Sequence, residues 1–225
     1  MGYDSVNRPV LEQVPPGARS VLDLGCGGGA MGEVLKSARG CSVVGVTFDE
    51  DEAAQARRRL DRVEVLDLNA CDPAGLGTFD CVLCSHVLGH LLHPERLLRG
   101  LRQCLGPGGT LVVALPNILF WKQRLEFARG RFRYADGGLM DRTHYRFYDW
   151  SSAAELLTGS GYIIRHRAAD GGWPLSRFLG RRAGGQLDRL ATRWLPGLFG
   201  WQFVFRCQPA DVPPPGQAAV APAGS

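Results

Sequence analysis

No apolar run in this 225-residue sequence approaches the roughly 20 residues needed to cross a bilayer, and its first residues lack the charged-then-apolar order of a secretion signal. Neither a membrane protein nor an exported one is expected, and a cytoplasmic setting is. A disulfide framework is missing as well. The seven cysteines are an odd number scattered through segments that read as core strands, which fits free thiols in a reducing compartment. Cys81-x-x-Cys84 has no second pair, and on a strand its two thiols point to opposite faces, so it reads as core rather than as a metal or redox pair. Internal repeats are absent. The net charge of +4 is too modest to point to nucleic acid, so Arg129, Arg131 and Arg133 in one segment, and Arg177, Arg181 and Arg182 in another, read as solvated surface.

What is present is 45% hydrophobic content, enough at this length for one α/β domain with a full core. The most informative stretch is Val21-Leu-Asp-Leu-Gly-Cys-Gly-Gly-Gly-Ala30, a buried strand that runs into a glycine turn and opens a helix. Gly25, Gly27 and Gly29 let the backbone curl tightly and leave no side chain between main chain and ligand, while Asp23 waits on the strand. Two ligand classes use such a turn, because Gly25-x-Gly27-x-x-Ala30 also satisfies the dinucleotide fingerprint. A pyrophosphate wants backbone N–H groups and a helix N-terminus without a nearby anion. Asp23 would repel it and would suit a cationic amino-acid ligand, S-adenosylmethionine.

Val21 to Gly29 resembles motif I of class I methyltransferases, D-x-G-x-G-x-G, and later segments extend the resemblance. The second strand, Cys41 to Val46, should end in an acid that accepts the ribose hydroxyls. The matching position is Thr47, as in the cyclopropane-synthase branch, so the ribose falls to Thr47, or to Asp49 if the strand runs longer. After the third strand, Arg62 to Leu66, Asp67 resembles the carboxylate that accepts the adenine amino group. Cys26, Phe48, Leu68 and Ser85 complete the implied S-adenosylmethionine site. Strand four, Phe79 to Ser85, leads to His86-Val-Leu-Gly-His90-Leu, similar to the family's D-V-L-E-H-L run with histidine and glycine replacing its two acids. Gly109-Thr-Leu-Val-Val-Ala-Leu-Pro-Asn117 matches its strand five. From Tyr3 to Cys207 the order is similar to a small bacterial branch that includes the W-type protein of methionine biosynthesis, with Leu139-Met-Asp-Arg-Thr-His-Tyr-Arg-Phe147 among the most specific pieces. The resemblance implies a Rossmann-like seven-stranded, mainly parallel sheet with helices on both faces, an antiparallel last strand, and S-adenosylhomocysteine as product.

Strand-like and helix-like segments alternate from Ser20 to Leu115, which predicts parallel strands with right-handed crossovers and ligands at their carboxyl ends. The last strand is expected at Trp201 to Arg206, beside Tyr162 to His166. One domain should cover 1–208. Within it, the aromatic, arginine-rich segment 118–150 is longer than a usual connection of about 4–6 residues and reads as a substrate cap. Ser152-Ala-Ala-Glu155 reads as a capping box that starts the next helix. Leu175 to Leu195, with Leu179, Leu187, Leu190 and Trp194 on a broken helical pattern, would finish the roof. The arm Tyr3-x-x-x-Asn7-Arg8-Pro9 resembles a segment that lies over the cofactor in this branch, or is an ordinary packing arm. The Pro/Ala-rich tail, 209–225, is expected to be disordered.

Methyl transfer from a sulfonium is an in-line displacement, so positioning supplies most of the rate, and a hydroxyl acceptor also needs a base. His144 in Asp141-Arg-Thr-His144 is the first candidate, with Asp141 able to orient its ring. Alternatively, Asp141, Arg142 and His144 only pin the loop through an ion pair. His86 is the second candidate, for base or substrate contact. His86, His90 and His93 have spacings of four and three, but no acid or cysteine completes a zinc set, and no metal is expected. Trp121, Tyr134, Tyr145, Phe147 and Tyr148 would line the cap, and Arg124 and Arg146 would meet an anionic acceptor. The first arginine cluster could instead meet an anionic or carrier-bound acceptor. The leading expectation is methylation of a small molecule, at oxygen, with nitrogen or carbon as rivals. Nucleic-acid amino methylation would need Asn/Asp-Pro-Pro-aromatic where Ser85-His-Val-Leu88 stands. A non-catalytic S-adenosylmethionine-binding regulator and an NAD-dependent dehydrogenase are the alternatives from other classes. Oligomeric state is left open.

Overall fold

The computed structural model describes residues 6–174, 178 and 180–210. Tyr3, Leu175, Arg177, Leu179, residues 211–225 of the tail and the side chains of Arg181 and Arg182 lie outside what it describes. The chain runs α1 (Arg8–Gln13), β1 (Ser20–Leu24), α2 (Ala30–Arg39), β2 (Ser42–Thr47), α3 (Glu50–Ala56), β3 (Arg62–Val65), β4 (Phe79–Ser85), α4 (Pro94–Leu101) and β5 (Leu105–Pro116). It continues with α5 (Trp121–Ala128), α6 (Trp150–Gly159), β6 (Tyr162–Gly171), α7 (Gly180–Trp194), α8 (Pro196–Phe199) and β7 (Gly200–Pro209).

The seven strands form one sheet in the order β3-β2-β1-β4-β5-β7-β6. Strands β1 to β5 pair in parallel, and β7 inserts antiparallel between β5 and β6. The order reverses between β1 and β4, and open α/β sheets offer their ligand crevice at that switch point, outside the carboxyl ends of the strands. Both β6 and β7 run longer than their apolar cores suggested, because they stay paired from Tyr162 opposite Pro209 to Gly171 opposite Gly200, with register shifts at Ile164/His166 and Asp170/Gly171.

Alternation sorts the strand residues into two cores, as a sheet covered on both faces requires. Leu22, Leu24, Val44, Val46, Val82, Cys84, Leu111, Val113, Phe203 and Phe205 face Leu97, Leu98 and Leu101 of α4 and Ala153, Leu156 and Leu157 of α6. Val21, Val43, Cys81, Leu83, Val112 and Val204 face Val10 and Leu11 of α1, Met31 and Leu35 of α2, and Ala56 of α3. Cys81 and Cys84 therefore lie on opposite faces, and all seven cysteines are free thiols.

Segment 118–149 leaves the sheet at a corner built by Asn117. Its buried amide donates to the Gly197 and Gly200 carbonyls, at 3.0 and 2.7 Å, and accepts from Leu119 N–H at 2.9 Å. The segment returns to the strand-four turn, where Tyr145 and Arg146 N–H both donate to the Gly89 carbonyl. Two sequence expectations are corrected here. The box that opens α6 is Asp149 with Ser152, not Ser152 with Glu155. Asp149 caps Ser151 and Ser152 N–H, while the Ser152 hydroxyl accepts from Asp149 N–H. Nor do Leu187, Leu190 and Trp194 of α7 pack down as a roof, since Trp194 is 76% exposed. Leu187 and Leu190 are exposed too, and just past the end of β6 the Trp173 N–H donates to Asp188 of α7.

Asp149→Ala removes the cap of a helix that supplies one wall of the core. It should cost about 1–2 kcal/mol, lowering the thermal midpoint by roughly 2–8 °C. Differential scanning calorimetry checks this, and an unchanged midpoint would return the start of α6 to Ser152.

Candidate active site

A cleft of about 1110 Å³ opens over the carboxyl ends of the parallel strands. Its floor is the glycine turn. Gly25 sits at φ +70° and its N–H, with that of Cys26, donates to the Val46 carbonyl at 2.8 and 2.9 Å, tying the turn to β2. Gly27 and Gly29 are also left-handed, at φ +52° and +87°, a conformation that costs glycine nothing. A Cβ on Gly25 would come within 2.4 Å of a Val87 methyl, and one on Gly29 within 3.2 Å of the Ala56 backbone. Gly25, Cys26 and Gly27 thus present bare main chain to the cleft.

Asp23 lies beneath this floor rather than in the cleft wall. It is fully buried, and neither carboxylate oxygen has a hydrogen-bond partner. Burial alone pushes its pKa up to about 7, so without a neighbouring cation the acid is largely protonated below that pH and ionised above it. An unpartnered buried carboxyl beside a side-chain-free cradle is the environment a cationic ligand completes.

At the next strand the geometry reassigns the polar groups. The Thr47 hydroxyl donates to Glu52 Oε2 at 2.8 Å and accepts from Asp49 N–H at 3.3 Å, so its only proton is committed internally while one lone pair is left. Asp49 is the N-cap of α3, accepting from Asp51 and Glu52 N–H. Thr47, Asp49 and Glu52 all line the cleft, and Glu52 is the acid that the sequence reading missed. The Asp49-x-x-Glu52 spacing of a helix start was the available signal. Asp67 and Leu68 also line the cleft, with Asp67 accepting from Asn69 N–H through one oxygen, at 2.8 Å. Phe48 stands in the same wall with its ring 76% exposed.

Opposite the glycine turn, Ser85 and His86 meet the N-terminal arm. Asn7 donates to Ser85 Oγ at 3.1 Å and to Gln202 Oε1 at 2.8 Å, so the arm does lie over the cleft, which Val6, Asn7, Arg8 and Pro9 help to line. His86 takes the left-handed φ of +60°, alone among the described non-glycine residues, while its N–H donates to the Ala114 carbonyl. Its Nε2 lies 2.8 Å from Gln202 Oε1, and burial lowers the ring's pKa.

His144 reaches the same cleft from segment 118–149, in the space that the missing side chain of Gly89 leaves. A Cβ there would sit 2.9 Å from His144 Cδ2. Its ring lies 4.3 Å from that of His90, between centroids. Burial, with His90 adding to it, drives its pKa down to about 4, and its buried Nδ1 has no partner. Asp141 also lines the cleft: its Oδ1 takes the Thr143 N–H and hydroxyl at 2.8 and 2.6 Å, and its charge opposes the lowering of the His144 pKa. Arg142 pairs outward with Asp136 at 2.8 Å.

Tyr145 is in the wall, 62% exposed. Six other expected contacts are not in this lining, and of these Phe147 packs edge-on against His144 while Tyr148 is buried in the core. Trp121 donates its indole N–H to the Gly172 carbonyl, and Arg124 braces the Leu119 and Gly197 carbonyls. Arg146 donates to the Leu92 carbonyl, and Tyr134 packs edge-on against Phe132 on the surface. Each of these side chains binds the segment to the domain or to itself. The arginine in the wall is Arg8, exposed at the cleft.

A glycine cradle over an orphaned carboxyl, at the switch point of this sheet order, defines a class I S-adenosylmethionine-dependent methyltransferase. Residues 4–167 match the methyltransferase domain family, and the chain belongs to it. It is 31% identical over 147 residues to a probable S-adenosylmethionine-dependent methyltransferase of Mycobacterium tuberculosis, covering 65% of this chain and 49% of that protein. A ubiquinone biosynthesis O-methyltransferase of Psychrobacter arcticus is 27% identical over 124 residues, covering 52% of this chain and 48% of that one. The chain thus spans about half the length of these relatives, and the match covers 34% of a 37.1 kDa Streptomyces fradiae transposon protein. A methyltransferase from Archaeoglobus fulgidus superposes with a TM-score of 0.64 at 19% identity, over 89% of this chain and 90% of that one. One from Mesorhizobium loti gives 0.59 at 21% identity, over 89% and 95%. At such identities these structures speak to the fold.

The cofactor of the chain is S-adenosylmethionine, and the residues present fit it: an orphaned buried carboxyl, and a cradle that a Cβ would obstruct. Glu52 should carry the polar contact expected of Thr47. Glu52→Ala is expected to weaken S-adenosylmethionine binding about tenfold, the scale of one charged hydrogen bond, and Thr47→Val by less. Isothermal titration with both variants checks the ranking, and the opposite order would return the contact to Thr47.

Proposed function

We propose that the chain methylates an oxygen of a small-molecule acceptor, with His86 as the group that takes the acceptor's proton. One arrangement carries this reading: the donor cradle and an imidazole with a free nitrogen face one another across a single cleft. When bound, S-adenosylmethionine supplies an electrophilic methyl carbon on a sulfonium. Asp23 would compensate its ammonium group, Gly25, Cys26 and Gly27 would pass their backbone along it, and Glu52 and Asp67 would take its ribose and adenine. Phe48, Leu68 and Ser85 complete the proposed wall.

The His86 imidazole bonds through Nε2, to Gln202, which leaves Nδ1 as the nitrogen able to take a proton from an acceptor in the cleft that His86 lines. Burial lowers its pKa, so the ring is neutral and able to accept a proton at neutral pH. His144 is less suited as a base, because its Nδ1 is sealed from the cleft by burial. It serves better as a wall of the acceptor pocket, with Tyr145. Arg8 is the cation that an anionic or carrier-bound acceptor would meet. The O-methyltransferase name of the Psychrobacter relative supports oxygen over nitrogen or carbon.

An acceptor screen over hydroxylated aromatic and aliphatic compounds tests the reading, with S-adenosylhomocysteine release as readout. His86→Ala should lose on the order of 100-fold or more in rate and keep S-adenosylmethionine affinity. In the parent enzyme, activity should hold through neutral pH and fall only below the ordinary imidazole range of about 6.5, where the acid form accumulates. Loss with His144→Ala instead would move the base to the other imidazole. Donor binding with no methylated product from any acceptor would favour a non-catalytic regulator.

A further inference from the structure

Behind His86 lies a polar chain that the methyl-transfer reading leaves unused. Gln202 on β7 donates through Nε2 to Asp170 Oδ2 on β6, at 3.0 Å, and to Asn7 Oδ1, at 3.1 Å. Its Oε1 faces Asn7 Nδ2 and His86 Nε2, each at 2.8 Å. Asp170, Gln202, Asn7, Ser85 and His86 all line the cleft.

The chemistry of the far end fixes every proton in this chain. A carboxylate only accepts, so the nitrogen of the Gln202 amide must face Asp170 and its oxygen must face the ring. That oxygen also only accepts, so His86 must carry its proton on Nε2. The Asn7 amide then fits without conflict: its oxygen takes the second Gln202 proton, and its nitrogen donates to Gln202 and to Ser85 Oγ at 3.1 Å. The 3.3 Å approach of Asn7 Nδ2 to His86 Nε2 is then two donors converging on one oxygen, not a bond between them. His86 is also the residue held at a left-handed φ, so its ring direction is set by backbone and side chain together.

We infer that Asp170, acting through Gln202, is a positioning residue that locks His86 in the Nε2–H form and so presents an unprotonated Nδ1 to the acceptor. The consequence for the reaction rests on the reading of His86 as base, but the tautomer itself does not. The second nitrogen of a catalytic histidine is commonly set by the bond its first one makes. Here that bond ends on a carboxylate two residues away, on the sheet edge.

Long-range proton–nitrogen spectra of the full chain labelled with ¹⁵N-histidine read the tautomer directly, without any acceptor, with and without S-adenosylhomocysteine. His86→Gln identifies the signal by its loss. The parent protein should show one neutral form of His86, protonated at Nε2. Asp170→Asn, on an exposed strand position, lets the Gln202 and Asn7 amides turn together and should bring in the Nδ1–H form. Asn7→Ala leaves the Asp170–Gln202–His86 chain intact and should keep the single Nε2–H form. A merely structural Asp170 would change the melting temperature and leave the tautomer alone. A proton on Nδ1 in the parent protein, or a Asp170→Asn spectrum identical to the parent, overturns the inference. A confirmed tautomer with no effect of His86→Ala on methylation would instead sink the base reading and leave the lock standing.

Discussion

Most of this structure answers to one unfavourable placement, an acid at position 23 with no partner of its own. A carboxylate buried without hydrogen bonds raises its own pKa, and burial here takes Asp23 to about 7. The strand that carries it is central, flanked by β2 and β4, so the acid has nowhere to turn. The chain above it is glycine, tied to β2 through Gly25 and Cys26, which keeps side chains out of the space a cation would take. Fold and site are thus linked through a group that is stable only when something positive arrives or a proton stays.

Around that point the chain substitutes one device for another. Where the motif pattern that the sequence resembles has an acid at the end of the second strand, this chain has Thr47, whose hydroxyl instead steadies Glu52 from the following helix. Where that pattern has its second acid in the strand-four run, Gly89 leaves a gap that His144 fills from segment 118–149. In place of the pattern's first acid in that run stands His86, held by the Gln202 amide of β7, which in turn donates to the Asp170 carboxylate of β6. In each case a polar function reaches the cleft from a neighbouring element.

Much of this was legible in the residues. The alternation of elements predicted the parallel sheet, and motif I located the cleft, because strand periodicity and glycine turns are local signals. Asp67, Ser85 and His86 fell in the wall for the same reason, each standing at the end of a strand. The arginines and aromatics of 118–150 were misread because residue type does not encode direction. Arg124 and Arg146 looked like anion ligands and instead hold carbonyls of their own chain. Gln202 and Asp170 could not have been found, since their meaning comes from pairing across β6 and β7, far from motif I in sequence.

The most direct measurement is calorimetric titration of S-adenosylmethionine at pH 6 and pH 8, each in two buffers of different ionisation enthalpy. If binding requires Asp23 ionised from a pKa of about 7, affinity should rise about tenfold between these values. Close to one proton should be released at pH 6 and far less at pH 8, and both effects should vanish in Asp23→Asn. Equal affinity at the two pH values with no proton released would contradict the account.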